Sequence, residues 1–135
     1  MSVAVTDAEI RQLLMETAFA KLYGFQLLEL GDGGCSLTIP FQDAFERPGG
    51  IVSGPVFMAA ADVAMWVAIK TRLGLSDGSV TVEMKTNFLS GAKREDIRCN
   101  SKLLKVGRRL IYGTAECLSA DGRILTHHTL TYIRP

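Results

Sequence analysis

The stretch Ser53-Gly54-Pro55-Val56-Phe57-Met58-Ala59-Ala60-Ala61-Asp62-Val63-Ala64-Met65-Trp66-Val67-Ala68-Ile69 decides how this chain folds. Serine is a favoured helix N-cap, and a proline in the first turn loses nothing, because an N–H there has no intrahelical acceptor. From Val56 to Ile69 every residue except Asp62 is apolar. A helix apolar on all sides has to be covered on nearly all sides. Lys70 and Arg72 then put positive charge at the C-terminal end, and Gly74 supplies a stop. The spacing predicts a long buried helix, short of the roughly 20 apolar residues that a bilayer requires.

On the N-terminal side, Thr6 and Glu9 have the spacing of a capping box. Ile10, Leu13, Leu14, Ala18 and Leu22 recur at helical spacing, which predicts one amphipathic helix from Asp7 to Leu22, closed by Gly24. Two apolar runs, Phe25–Leu30 and Cys35–Phe41, flank Gly31-Asp32-Gly33-Gly34 and read as a hairpin. Residues 42–52 hold Arg47-Pro48-Gly49-Gly50 and read as a loop. On the C-terminal side, 79–90 alternates. Val80, Val82, Met84, Thr86 and Phe88 fall on one face, with Thr81, Glu83, Lys85 and Asn87 on the other. Residues 96–106, 109–119 and 123–133 are three further strands, and the last four strands are expected to form an antiparallel meander. The fold class is therefore α+β, one domain over 1–135, with an antiparallel sheet wrapped around one long buried helix and an amphipathic helix ahead of it. One sheet offers one face, so a second copy of the chain is expected to cover the rest of the helix, in a homo-oligomer.

Composition narrows the function. With 135 residues, 47% hydrophobic and 21% charged, the chain can bury a sizeable core, and disorder is excluded. The net charge of +1 gives no electrostatic case for a nucleic acid partner, and no membrane segment is expected. The first residues lack a basic region followed by an apolar run, so no secretory leader is expected. Cys35, Cys99 and Cys117 are odd in number and form no C-x-x-C pair, so reduced, buried thiols of a cytoplasmic protein are expected. His127 and His128 are neighbours in a strand and point to opposite faces, so they cannot chelate one metal together. No set of residues has metal-ligand spacing, and no cofactor is expected.

Asp62 does not fit its surroundings. Its helical neighbours Met58, Ala59, Met65 and Trp66 cannot neutralise it. Apolar surroundings strip a carboxylate of solvation and disfavour its charged form. Such a group suits a nucleophile or a general base, and equally a structural carboxylate held by backbone or by an arginine. The N–H groups of Gly54 and Val56 are read as free at the positive end of the helix dipole, where a carbonyl oxygen that becomes negative can be held. Asp62 lies roughly 13 Å further along the axis than Ser53. Both features can act on one atom only if the helix start of one chain faces the aspartate of another.

The run Gly49-Gly50-Ile51-Val52-Ser53-Gly54-Pro55, followed seven residues later by Asp62 and a small, apolar helix, resembles the hotdog-fold thioesterases, in particular the phenylacetate-type (PaaI-like) acyl-CoA thioesterases. Val106-Gly107-Arg108-Arg109-Leu110-Ile111-Tyr112 and Asp121-Gly122-Arg123-Ile124-Leu125 resemble that family's paired hairpins, and the likeness covers nearly the whole chain. The resemblance implies a hotdog fold and an acyl-CoA thioesterase working as a dimer or dimer of dimers, with the site between subunits. It implies Asp62 as the catalytic acid group, Gly54 as the N–H that polarises the carbonyl, and Thr81 as the residue that positions water. Ser53, Arg47, Val80 and Met58 are the expected substrate-binding residues, and Lys93, Arg94, Lys105, Arg108 and Arg109 the expected contacts for the phosphates of coenzyme A. The chain departs from the pattern at Ser53, where the family usually has His, at Pro55 in place of a second glycine, and at Arg47 in place of Asn or Asp. Serine is a poor proton carrier at neutral pH. The alternatives are an acyl-CoA-binding protein without activity, and a dehydratase or hydratase, whose usual loop histidine is absent between Phe41 and Val56.

Overall fold

A computed structural model of the chain describes residues 3–135. Met1 and Ser2, part of the segment read as carrying no leader, lie outside them. Helix α1 (Asp7–Glu16) opens on the expected capping box: Thr6 Oγ1 accepts from the Glu9 N–H at 3.1 Å, and Glu9 Oε1 accepts from the Thr6 N–H at 2.9 Å. The single helix expected to reach Leu22 is instead two. Thr17 leaves the helical region (φ −82°, ψ 113°), and its Oγ1 donates to the Leu13 carbonyl at 2.7 Å. A threonine hydroxyl bonded back to the i−4 carbonyl competes with the helical ladder and bends it. Helix α2 (Ala18–Tyr23) restarts at a new angle and ends on Gly24, whose left-handed φ of 75° suits glycine.

Strands β1 (Gln26–Gly31) and β2 (Gly34–Ile39) form the expected hairpin. The loop that follows carries a 3₁₀ turn at Asp43–Phe45 and a minimal ladder of β3 (Glu46–Arg47) with β4 (Ile51–Val52). Helix α3 (Gly54–Leu73) is the long central element. Strands β5 (Val80–Phe88), β6 (Ile97–Val106), β7 (Leu110–Leu118) and β8 (Ile124–Ile133) complete the chain. All pairings are antiparallel, in the order β1-β2-β6-β7-β8-β5. The expected four-strand meander is therefore three strands long. β5 passes over β6 and β7 to pair with β8, which leaves its other side as a free edge of the sheet. Alternation identifies a strand; it carries no information about which neighbour the strand takes.

A register shift between Thr81 and Glu83 interrupts β5. Strict alternation puts Thr81 on the face of Glu83. With Val82 as the extra residue, Thr81 joins Met84 and Thr86 on the side that faces the helix.

Helix α3 packs chiefly across β2 and β6. Gly113 of β7 allows the approach: a Cβ there would lie 2.6 Å from the Lys102 carbonyl and collide with the Met65 side chain of α3. One chain covers most of this helix, though not every side of it. Twelve of its residues are buried. Apart from its two ends, a single stripe remains, with Pro55 and Met58 exposed and Ala59, Asp62 and Trp66 half-buried. The three cysteines are free and buried, and burial pushes the Cys35 thiol up to about 12. Among the described residues, no helix is long and apolar enough to cross a membrane.

Candidate active site

Asp62 sits at the middle of the uncovered stripe, half-buried rather than enclosed. Its surroundings are also less apolar than its helical neighbours suggest. Thr81 Oγ1 donates to Asp62 Oδ1 at 2.7 Å, and the Tyr132 hydroxyl lies 2.7 Å from the same oxygen and 3.0 Å from the Asp62 carbonyl. Both donors arrive from the sheet. Thr81 of β5 and Tyr132 of β8 are directly opposed cross-strand partners, and the β5 bulge is what lets Thr81 face the helix. Tyr132 was not legible as a site residue. Its position near the C-terminal end of a strand reads as ordinary core, and only the pairing of β8 with β5 brings it to Asp62.

Asp62 opens into a cavity of about 320 Å³ walled by Phe19, Val63, Trp66 and Val80, with Thr17, Ser79, Thr81 and Tyr132 as its other polar groups. One carboxylate in a mostly apolar cleft has the make-up of a small-molecule site. Lys70 braces this wall. Its Nζ lies 4.7 Å from the centre of the Trp66 ring and donates to the carbonyls of Leu75 and Asp77. Asp77 in turn accepts from the Ser79 hydroxyl. A larger cavity, about 500 Å³, opens over the opposite face of the sheet beside Glu116 and His127. Glu116 and His127 there are partners across β7 and β8 on the face turned away from α3. The smaller cavity is the better candidate, because its carboxylate is oriented by two hydroxyls between apolar walls.

The remaining expected site residues are spread through the structure. Val80 lines the Asp62 cavity. Gly54 does not; a Cβ on it would lie 3.2 Å from the Phe88 ring, at the other end of β5. Of the two N–H groups read as free, that of Val56 is committed to the Ser53 carbonyl at 3.1 Å. Ser53 occupies the N-cap position without a side-chain cap bond, and its own N–H donates to the Phe45 carbonyl at 2.7 Å. Arg47 is exposed on β3, and Met58 points outward from α3, so neither reaches the cavity within one chain.

The basic residues do not form one cluster. Lys93 and Arg94 precede β6, whereas Lys105, Arg108 and Arg109 follow or end it. A ten-residue strand separates the two groups by roughly 33 Å. Arg94 is also occupied, bonded to Asp43 at 2.8 Å and Glu46 at 3.2 Å. Arg134, not singled out in the sequence, joins the Arg108 end by donating to the Gly107 carbonyl at 3.1 Å. His128 is buried between Thr86 and Thr126, while His127 lies on the other face of the sheet.

A sequence profile of the thioesterase superfamily matches residues 49–126, more than half of the chain. The chain belongs to the thioesterase superfamily. It is 31% identical, over 104 residues covering 77% of its own length and 69% of the other, to an inferred esterase of Saccharolobus solfataricus. Solved structures that share its fold include two of particular interest. One is a mutant of the phenylacetic acid degradation protein PaaI of Thermus thermophilus, at 19% identity, with a TM-score of 0.79 over 88% of this chain and 100% of that one. The other is a hypothetical thioesterase of Streptococcus pneumoniae solved with coenzyme A, at 16% identity, with a TM-score of 0.75 over 82% and 85%. The sheet curved around one long helix is the hotdog fold, and this member of the superfamily is a thioester hydrolase.

Proposed function

We propose that this thioesterase hydrolyses acyl-CoA thioesters, with Asp62 as the general base or nucleophile. One observation carries the reading: a half-buried carboxylate, held on one oxygen by Thr81 and Tyr132, facing an apolar cavity. As a base, Asp62 takes a proton from water, and the oxygen of that water attacks the thioester carbon. The carbonyl electron pair moves to oxygen, and collapse of the tetrahedral species breaks the C–S bond. Coenzyme A leaves as a thiolate, which needs little help from an acid. That suits a loop with Ser53 in place of a histidine. The Streptococcus pneumoniae neighbour solved with coenzyme A supports this ligand class.

The developing oxyanion needs a donor, and the N–H of Gly54 is the proposed one. Gly54 and Asp62 of one chain are eight residues apart on α3, about 12 Å along its axis, too far for one atom. The free edge of β5 offers a solution. Its Thr81 end lies at Asp62, and at its other end the Phe88 ring lies against Gly54. Pairing β5 antiparallel with the β5 of a second copy brings the Gly54 of that copy toward Asp62. Val80, Val82, Phe88 and Leu89 are each more than half exposed along this edge, an unusual cost for a nine-residue edge strand left bare. In the same pairing the segment after β5 that carries Lys93 in one copy falls at the end of the other copy's sheet that carries Arg108 and Arg109, the proposed contacts for the phosphates of coenzyme A. The test is thiol release from aryl, short, medium and long acyl-CoA thioesters by the Asp62→Asn variant. Abolished hydrolysis with an unchanged fold is expected; retained turnover sinks the reading.

A further inference from the structure

We propose that Tyr132 is a positioning residue that, with Thr81, commits Oδ1 of Asp62 to hydrogen bonding and so assigns Oδ2 as the reacting oxygen. The inference rests on the reading of Asp62 as the catalytic carboxylate and goes beyond it, to which oxygen reacts and what holds it. The Tyr132 hydroxyl lies between two acceptors of a single residue, Oδ1 at 2.7 Å and the main-chain carbonyl at 3.0 Å. One phenolic proton spans both, so the contact pins side chain and backbone of Asp62 to each other and stops rotation about the Cα–Cβ bond. The carbonyl already belongs to the α3 ladder, and the charged oxygen is the stronger acceptor. Thr81 adds a second donor to the same oxygen at 2.7 Å. Oδ2 accepts from no protein group among the described residues, and it is the oxygen left to meet water or substrate.

Tyr132 is built to stay a donor. The residue is 3% exposed, between its cross-strand partners Thr81 and Ile111. Burial first, and the charge of Asp62 second, push its ionisation well above the usual phenol range. The walls of the cavity come from α2, α3, β5, β8 and the residues joining them, and Asp62 and Tyr132 are the only titratable groups among its lining residues. Lys70 and Asp77 are the nearest further charged groups, and both stand behind the Trp66 and Ser79 wall rather than in the cavity.

The experiment compares Tyr132→Phe, Asp62→Asn and the unaltered chain in pH–rate profiles on one acyl-CoA that the unaltered chain hydrolyses. Tyr132→Phe is expected to lower kcat by about ten- to a hundredfold, the range that misplacing a reacting group costs. KM stays nearly constant, and the acid limb of the profile moves to higher pH, because a donor that favours the charged carboxylate is gone. A tyrosine that only fills the core would lower thermal stability and leave the limb in place. Independent of how that variant folds, labelling Tyr23, Tyr112 and Tyr132 with fluorotyrosine gives three fluorine signals. One is expected to follow the acid limb in the unaltered chain and to stop doing so in Asp62→Asn. No signal tracking the limb, or a Tyr132→Phe profile matching that of the unaltered chain, overturns the proposal. Turnover by Asp62→Asn overturns the carboxylate reading itself; an inactive Asp62→Asn beside an unshifted Tyr132→Phe removes only the role of Tyr132.

Discussion

Asp62 announces itself as the one ionisable residue in an apolar run, and the structure puts it beside a cavity. Its partners are a different matter. Thr81 came from family resemblance, and strict alternation would have turned it away from the helix. The cations show the same limit. Lys93, Arg94, Lys105, Arg108 and Arg109 look like one group only until the ten residues of β6 are laid out between them. Arg94 already carries two carboxylates, whereas Arg108 is exposed at the turn between β6 and β7. Replacing Arg108 with Ala should raise KM for an acyl-CoA by roughly three- to tenfold, the worth of one charge-assisted contact at a wet surface. KM for a short pantetheine thioester, which lacks the nucleotide, should not change. Steady-state kinetics on both substrates check this, and equal effects would refute a phosphate contact.

Among the elements, the central helix was legible at both ends, because Ser53, Pro55 and Gly74 are local signals acting on the backbone next to them. The first helix was legible at its start and not at its break. Thr17 is compatible with a continuing helix until its hydroxyl bonds the Leu13 carbonyl. That break turns α2 so that Phe19 walls the Asp62 cavity. Helix and sheet then meet at Gly113, where Met65 and the Lys102 carbonyl fill the space of a side chain. The Met65 side chain can swing away, but a backbone carbonyl cannot. Gly113→Ala should therefore destabilise the fold by about 1–3 kcal/mol, as over-packing of a tight core does. Denaturant melts measure it; an unchanged midpoint would show that β7 and α3 separate at little cost.

At the scale of the whole molecule, the uncovered stripe of α3 and the bare edge of β5 converge on the same cavity. If the site is shared between two copies, two inactive variants can restore each other. Gly54→Pro removes the proposed oxyanion donor, and Asp62→Asn removes the carboxylate. A mixed dimer then holds one intact pair, Asp62 from one chain with Gly54 from the other. Co-expression of the two variants should regain thiol release that neither shows alone. Light scattering should give a mass at least twice that of the chain. Two dead variants that stay dead in a verified mixed dimer would place the whole reaction within one chain.

Local chemistry determined much of this protein from the sequence alone. Apolar periodicity, caps and turn residues marked the central helix, the hairpins and the strands, and its place as the one ionisable residue in an apolar run marked Asp62. These signals act over a few residues and are written where they act. Tertiary structure alone decided that β5 pairs with β8, that a bulge turns Thr81 toward α3, and that Tyr132 meets Asp62 across 70 residues of chain. Each of these depends on which strand lies beside which. That choice is settled by the packing of the whole sheet against one helix, and no stretch of sequence contains it.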